Sequence, residues 1–232
     1  MNLLVCPAAT LAETARRERP SHIVTTASPG VQLPPVPPGT AHLHLAFNDV
    51  SGPTPPLSFR SRPRIFPSGI PRAGSARPGT HDRAPEPECG FRALACGEPR
   101  NHGGGGIEPI SPTRPILPPS REDVAALLAF GRSWSGSRPL LVACELGVSR
   151  SPAAAFVLAC QALAAVAPGD IAQALRRASP QATPNPLVVA LADAILGRRG
   201  VMVDAVAAIG RGADYAGPAP FRLALSAPAL RG

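Results

Sequence analysis

Short apolar runs and helical stripes alternate in two parts of the chain, residues 1–51 and 116–225. Apolar or β-branched runs predict strands at residues 2–5, 22–26, 41–47 and 139–143. Helical spacing or capping patterns predict helices that begin near residues 10, 120, 150, 169, 185 and 201. This alternation predicts an α/β fold, with a central, mostly parallel sheet and helices on its faces.

Three helix starts carry capping patterns. Thr10 with Glu13, and Ser120 with Asp123, have the spacing of a capping box, in which two side chains satisfy N–H groups at the helix start. Asn185 is followed by a proline, an order typical of an N-cap and the first helical residue. We therefore predict that these residues mark helix N-termini.

Residues 52–115 differ from both flanking parts. Fifteen of the 31 prolines fall between residues 51 and 119, four glycines occupy 103–106, and no apolar periodicity persists. Such a segment cannot bury enough apolar surface to offset an ordering cost of about 1–2 kcal/mol per residue. We expect one domain formed by residues 1–51 and 116–225, a disordered insertion at 52–115, and a tail at 226–232. The proline-rich stretch after Gly217 is also expected to be loosely held.

Charge changes this interpretation little. The net charge is +8 and all 23 basic residues are arginine, which, with abundant alanine and glycine, indicates a GC-rich bacterial genome. A basic surface suits either a nucleic-acid partner or an enzyme that attracts phosphorylated substrates. Because only 4% of the residues are aromatic and no dense basic run occurs, the sequence argues against nucleic acid.

The cysteines and apolar runs indicate a reducing compartment. Five cysteines without regular spacing predict neither a disulfide framework nor a zinc site. No apolar run reaches the roughly 18 residues of a membrane helix, and the N-terminal run is too short for a signal peptide. We therefore expect a cytoplasmic protein with reduced thiols, no membrane association and no metal or other cofactor.

Residues 139–156 carry the clearest chemistry. A predicted strand ends at Cys144, and a predicted helix begins six residues later at Arg150, with Ser151 directly after it. A strand–turn–helix joint directs backbone N–H groups and the positive end of the helix dipole at one point, which favours an anion. The same field favours a thiolate, and a guanidinium can clamp two phosphoryl oxygens. The pattern predicts a thiolate nucleophile that faces a phosphate-sized anion.

The sequence of this loop, CELGVSRSP, resembles the signature HCxxGxxRS of cysteine-dependent protein tyrosine and dual-specificity phosphatases. The chain departs from it at Ala143, where the family has histidine. The stretches CPAATLAET, FNDV and SPQATPNPLVVALADAILGR resemble parts of small bacterial members. The residues that match the signature and the proline after it are Cys144, Gly147, Ser149, Arg150, Ser151 and Pro152.

The resemblance implies a three-layer phosphatase-like domain that hydrolyses a phosphomonoester through a cysteinyl-phosphate. Cys144 would be the nucleophile, and Ser151 would assist the departure of its sulfur. Asp49, in FNDV at a strand end, would be the general acid, with Asp123 as its competitor. The substrate would be a phosphorylated protein or a small phosphomonoester. The phosphate-binding loop would comprise Glu145, Leu146, Gly147, Val148, Ser149 and Arg150.

Two other hypotheses stay open at this point. Because Ala143 replaces a histidine that orients the loop, the protein could be a pseudophosphatase that binds phosphate or a phosphopeptide but turns over little. Alternatively, the arginines of residues 52–115 could form a nucleic-acid-binding arm.

The hypothesis of a nucleic-acid-binding arm predicts that deletion of residues 53–115 weakens binding to nucleic acid. This binding should depend on salt, because arginines that neutralise phosphates release counterions. Binding measured across a salt series, before and after the deletion, tests it. Unchanged binding would dismiss the arm.

Overall fold

Five strands form a sheet in the computed structural model, which describes residues 2–51 and 116–225. All described residues belong to one compact unit. The sheet order is β3-β2-β4-β1-β5, with β5 antiparallel to β1 and the other neighbours parallel. The strands are β1 (Asn2–Pro7), β2 (His22–Ala27), β3 (Ala41–Ala46), β4 (Leu140–Cys144) and β5 (Phe221–Ala224).

The register of the parallel strands gathers their carboxyl ends at one edge. Cys144 at the end of β4 is paired with Pro7 in β1 and with Thr26 in β2. β3 continues the same direction beside β2. In open sheets of this kind, ligands bind outside the carboxyl ends of the strands. The loops after β1, β2, β3 and β4 are therefore the place to look for a site.

Helices cover both faces of the sheet. Alternate strand residues enter two separate apolar clusters, as expected when successive side chains point to opposite faces. α1 contributes to the smaller cluster, whereas α3 runs buried through the larger one, where α2, α4 and α5 contact it and α6 packs against α4 and α5. The fold class predicted from the sequence, a three-layer α/β domain with a mostly parallel central sheet, is confirmed. The helices are α1 (Leu11–Glu18), α2 (Arg121–Ser133), α3 (Arg150–Ala162), α4 (Pro168–Ala178), α5 (Pro186–Ile195) and α6 (Val201–Ile209).

Two of the three predicted caps are confirmed. Ser120 and Asp123 form a reciprocal capping box at α2, and Asn185 caps α5. Thr10 is the N-cap residue of α1, so the predicted helix start is confirmed, but its side chain makes no cap hydrogen bond and the predicted capping box is wrong. In the 3-10 turn at Ala8–Thr10 that precedes α1, the Thr10 hydroxyl donates back to the carbonyl oxygen of Pro7 at 3.3 Å instead.

The prediction of a loosely held stretch after Gly217 is wrong for residues 221–224. Phe221–Ala224 is β5, paired with β1, and Leu223 is only 1% exposed. Four residues are too few to show an apolar periodicity in the sequence. The strand that pairs with β5 is β1, which comes from the other end of the chain. Residues 52–115 and 226–232 lie outside the described part, so the insertion, the tail and the domain boundaries stay predictions. No described helix is long and apolar enough to span a membrane.

Leu223→Ala should lower the free energy of unfolding by about 2–5 kcal/mol, because it removes a fully buried side chain from an edge strand. Urea unfolding followed by circular dichroism measures this. Arg222→Ala is the matched control on the same strand, since Arg222 is partly exposed and pairs with Glu18 at 2.6 Å. If Leu223→Ala lowers the free energy of unfolding as little as Arg222→Ala does, the placement of β5 in the sheet is wrong.

Candidate active site

The sulfur of Cys144 lies at the end of β4 and has two polar neighbours. Its side chain is buried, with 2% of the residue exposed. The backbone N–H of Gly147 donates to Sγ at 3.1 Å, and the hydroxyl of Ser151 lies 3.0 Å from Sγ. The N–H donates to sulfur and the hydroxyl is able to, and donors at this range stabilise negative charge on sulfur, so the arrangement is suited to a thiolate.

Gly147 is required by both its backbone angle and its neighbours. Its φ is +76°, in the left-handed region that side chains other than glycine's disfavour. A Cβ at this position would lie 3.0 Å from the backbone nitrogen of Pro7, the β1 residue paired with Cys144. The loop can therefore turn back over β1 only with glycine here.

Backbone hydrogen bonds fix the rest of the loop. The carbonyl oxygen of Glu145 accepts from Ala8 at 3.3 Å, and that of Val148 accepts from Thr183 at 2.8 Å. The loop is thus tied to the segment after β1 on one side and to the segment before α5 on the other. Leu146, between these anchors, is 58% exposed and projects toward solvent.

Arg150 is the first residue of α3 and is 4% exposed. Its Nη2 lies 3.1 Å from Oε2 of Glu145, and its Nη1 donates to the carbonyl oxygen of Phe47 at 3.1 Å and to the hydroxyl of Ser28 at 3.3 Å. Its buried Nε has no hydrogen-bond partner, although Oδ2 of Asp49 lies 4.0 Å away. An unpaired buried donor is costly, so this nitrogen is suited to an anionic oxygen.

Glu145 pairs with Arg150 from within the loop. Burial raises the pKa of its carboxyl group, but the N–H of Ser28, 2.7 Å from Oε1, and the guanidinium of Arg150 lower it more, so the net pKa falls below its usual value. Glu145 is therefore ionised at neutral pH. The sequence placed it only in a phosphate-binding loop and did not indicate this ion pair.

Asp49 lies beside the loop, three residues after β3. Its Oδ1 accepts from the hydroxyl of Ser149 at 2.7 Å and from Nδ2 of Asn185 at 2.8 Å. Its side chain is 38% exposed and also faces Arg150. The carboxylate is thus held beside the loop of residues 144–150, which we call the cradle, and stays open to solvent.

The long sequence separation between Asp49 and Cys144 does not separate them in space. The N–H of Asn48 donates to the carbonyl oxygen of Leu117 at 2.7 Å, and the N–H of Leu117 donates to Oδ1 of Asn48 at 2.8 Å. Asn48, next to Asp49, is therefore held against Leu117, although residues 52–115 lie between them in the sequence. Asp123, the competing candidate acid, instead accepts from the backbone N–H and the hydroxyl of Ser120 as a cap.

Ala143 occupies the position of the histidine in the resembled signature. It is fully buried and packs on the α1 side of the sheet, between Cys6 in β1 and Thr25 in β2. The position therefore belongs to the apolar layer beneath the loop. The observed contacts to the sulfur come from Gly147 and Ser151 instead.

The other described cysteines have a different character. Burial raises the pKa of Cys6 and of Cys160 to about 12, so both are protonated at neutral pH. Cys89 and Cys96 lie outside the described residues. Within residues 2–51 and 116–225, no three histidine, cysteine or acidic side chains form a group that could hold a metal ion.

Three contributors to the site were not predicted as such: the hydroxyl of Ser28, the carbonyl of Phe47 and the amide of Asn185. Ser28 and Phe47 directly follow β2 and β3, so the rule that carboxyl ends of parallel strands converge could have found them. Asn185 was predicted as a helix cap, but its hydrogen bond to Asp49 is visible only in the tertiary structure.

The fold and the site together define a three-layer α/β protein with a loop that joins a cysteine to an arginine at the carboxyl edge of its sheet. No family model matches the chain, and no curated protein matches it. Among solved structures, the crystal structure of human DUSP28 is similar in fold, with a TM-score of 0.43 and 15% identity over 84% of this chain and 94% of that chain. A likeness of this size says nothing about activity.

Iodoacetate at neutral pH should alkylate Cys144 and leave Cys6 and Cys160 unmodified, because only a thiolate reacts and burial keeps the latter two protonated. Mass spectrometry of peptides from a Cys89→Ser/Cys96→Ser protein measures this. Inorganic phosphate should slow the reaction by occupying the cradle. Labelling of Cys6 or Cys160 in preference to Cys144 would contradict the assignment.

Proposed function

We propose that the protein is a cysteine-dependent phosphatase that hydrolyses a phosphomonoester through a cysteinyl-phosphate. The observation that carries this proposal is the buried Nε of Arg150, an unpaired donor in the loop that holds Cys144. A guanidinium fork suits a phosphoryl group, and the N-terminus of α3 adds partial positive charge. The resemblance of the loop to the tyrosine and dual-specificity phosphatase signature supports the same function.

Charge determines how a substrate binds. Glu145 and Asp49 both face the single guanidinium of Arg150, so a phosphoryl dianion would meet two carboxylates. Two unit charges at 4 Å interact by about 4 kcal/mol at an effective dielectric constant of 20. Substrate is therefore bound best when Asp49 carries a proton, which is the state that a general acid needs.

In the first step the thiolate of Cys144 attacks phosphorus and an S–P bond forms. The P–O bond to the leaving group breaks, and the leaving oxygen takes the proton of Asp49. Arg150 and the loop N–H groups hold the equatorial oxygens as charge develops on them. The product of this step is a cysteinyl-phosphate and a neutral alcohol or phenol.

In the second step water attacks the phosphorus of the intermediate. Asp49, now ionised, accepts a proton from that water, and the S–P bond breaks with its electron pair returning to sulfur. The hydroxyl of Ser151 and the N–H of Gly147 stabilise the departing thiolate, as their 3.0 Å and 3.1 Å distances to Sγ allow. Inorganic phosphate then leaves the cradle.

The substrate we propose is a phosphorylated protein or a small phosphomonoester. A second candidate function, a phosphate- or phosphopeptide-binding module with little turnover, is favoured by Ala143, which takes the place of the family's histidine. Both functions use the same cradle, and they differ only in whether the S–P bond forms and is hydrolysed.

Purified protein should hydrolyse p-nitrophenyl phosphate, and Cys144→Ser should abolish turnover. Asp49→Ala should lower kcat by about 10²–10⁴-fold on an aryl phosphate with a poor leaving group, but far less with p-nitrophenol, which leaves without a proton. Phosphate release measured across a series of aryl phosphates tests this. Asp123→Ala, which removes an acid that only caps α2, is the matched control and should retain the leaving-group dependence.

The same measurements separate the two candidates. Phosphate binding without turnover, lost in Arg150→Ala, would establish the binding module and overturn catalysis. Absence of both turnover and phosphate binding would overturn the anion cradle itself.

A further inference from the structure

Asn185 does more than cap a helix. It is fully buried directly before α5, and its Oδ1 accepts from the N–H groups of Leu187 at 3.0 Å and Val188 at 3.1 Å. Because the helix presents only donors here, the amide oxygen must face α5 and the amide nitrogen must face the other way. The cap therefore uses the acceptor of Asn185 and leaves its two N–H donors for other partners.

Both donors of Asn185 go to the segment that carries the proposed acid. Nδ2 donates to Oδ1 of Asp49 at 2.8 Å and to the carbonyl oxygen of Val50 at 3.2 Å. The hydroxyl of Ser149 donates to the same Oδ1 at 2.7 Å. Two donors occupy the two lone pairs of Oδ1, whereas Oδ2 points toward the unpaired Nε of Arg150, 4.0 Å away.

We propose that Asn185 is a positioning residue that, with Ser149, reserves Oδ1 of Asp49 as an acceptor and so places the acidic proton on Oδ2. Oδ2 is the oxygen beside the guanidinium that would hold the phosphoryl group, so the proton sits where the leaving oxygen needs it. This inference rests on the proposed phosphatase function.

A helix cap alone does not require asparagine. Serine, aspartate and asparagine cap helices about equally well, since each supplies an acceptor. Of these three, asparagine alone combines a cap acceptor with amide donors that reach a second residue. The hydrogen bond to Asp49, as well as the cap of α5, thus explains an asparagine at position 185.

Asn185→Ser keeps a cap acceptor and removes the donors to Asp49. We expect kcat on an aryl phosphate with a poor leaving group to fall about tenfold, the upper end of the usual effect of one lost hydrogen bond. KM, and turnover of p-nitrophenyl phosphate, should change little. In an Asp49→Ala background the same substitution should have no further effect, because the group that it positions is gone. Asn185→Thr, which keeps a hydroxyl cap and has no amide donors, provides a second variant if the serine protein folds poorly.

Ser120→Ala is the matched control, because it removes the side-chain cap of α2 away from the cradle. It should lower the melting temperature without changing the leaving-group dependence. Equal losses on both leaving groups with Asn185→Ser, or a loss that adds to that of Asp49→Ala, would overturn the positioning role and leave the phosphatase intact. Absence of turnover in the unaltered protein would overturn the proposed function and this inference together.

Discussion

A buried guanidinium at the first turn of a helix is the constraint around which the site is arranged. Arg150 is 4% exposed and sits where the helix dipole opposes a cation. A buried charge is tolerated only when it is paired and hydrogen-bonded. Glu145 supplies the ion pair, Phe47 a carbonyl and Ser28 a hydroxyl, and one nitrogen is left unpaired. The stability of the loop and the anion binding that we propose for it therefore depend on the same side chain.

The parallel sheet is what brings these partners together. Ser28 follows β2, Phe47 follows β3, and Cys144 is the last residue of β4. These residues therefore lie at the same edge of the sheet. The residues are distant in sequence, but the common strand direction makes them neighbours. The hydrogen bonds between Asn48 and Leu117 keep Asp49 at this edge although residues 52–115 intervene in the chain.

Much of the fold and part of the site could be predicted from the sequence. The Cys144–Arg150 spacing, the strand before it and the helix after it are local, so their pattern is contained in adjacent residues. The cap at Asn185 was predicted for the same reason. The capping box at Thr10 and the loose hold of residues 221–224 were mispredicted, because the Thr10 hydroxyl bonds back to Pro7 and residues 221–224 pair with a strand from the other end of the chain.

The sequence by itself determined the layered α/β fold and the strand–loop–helix unit that carries Cys144 and Arg150, because strand period, helix period and the Cys-x5-Arg spacing are short-range properties. Only the tertiary structure decided which groups surround that loop. It paired Glu145 with Arg150, packed Ala143 against the α1 side and joined Asn185 to Asp49. These contacts depend on strand order and register, which fix distances between residues far apart in the chain, and no local pattern encodes such distances.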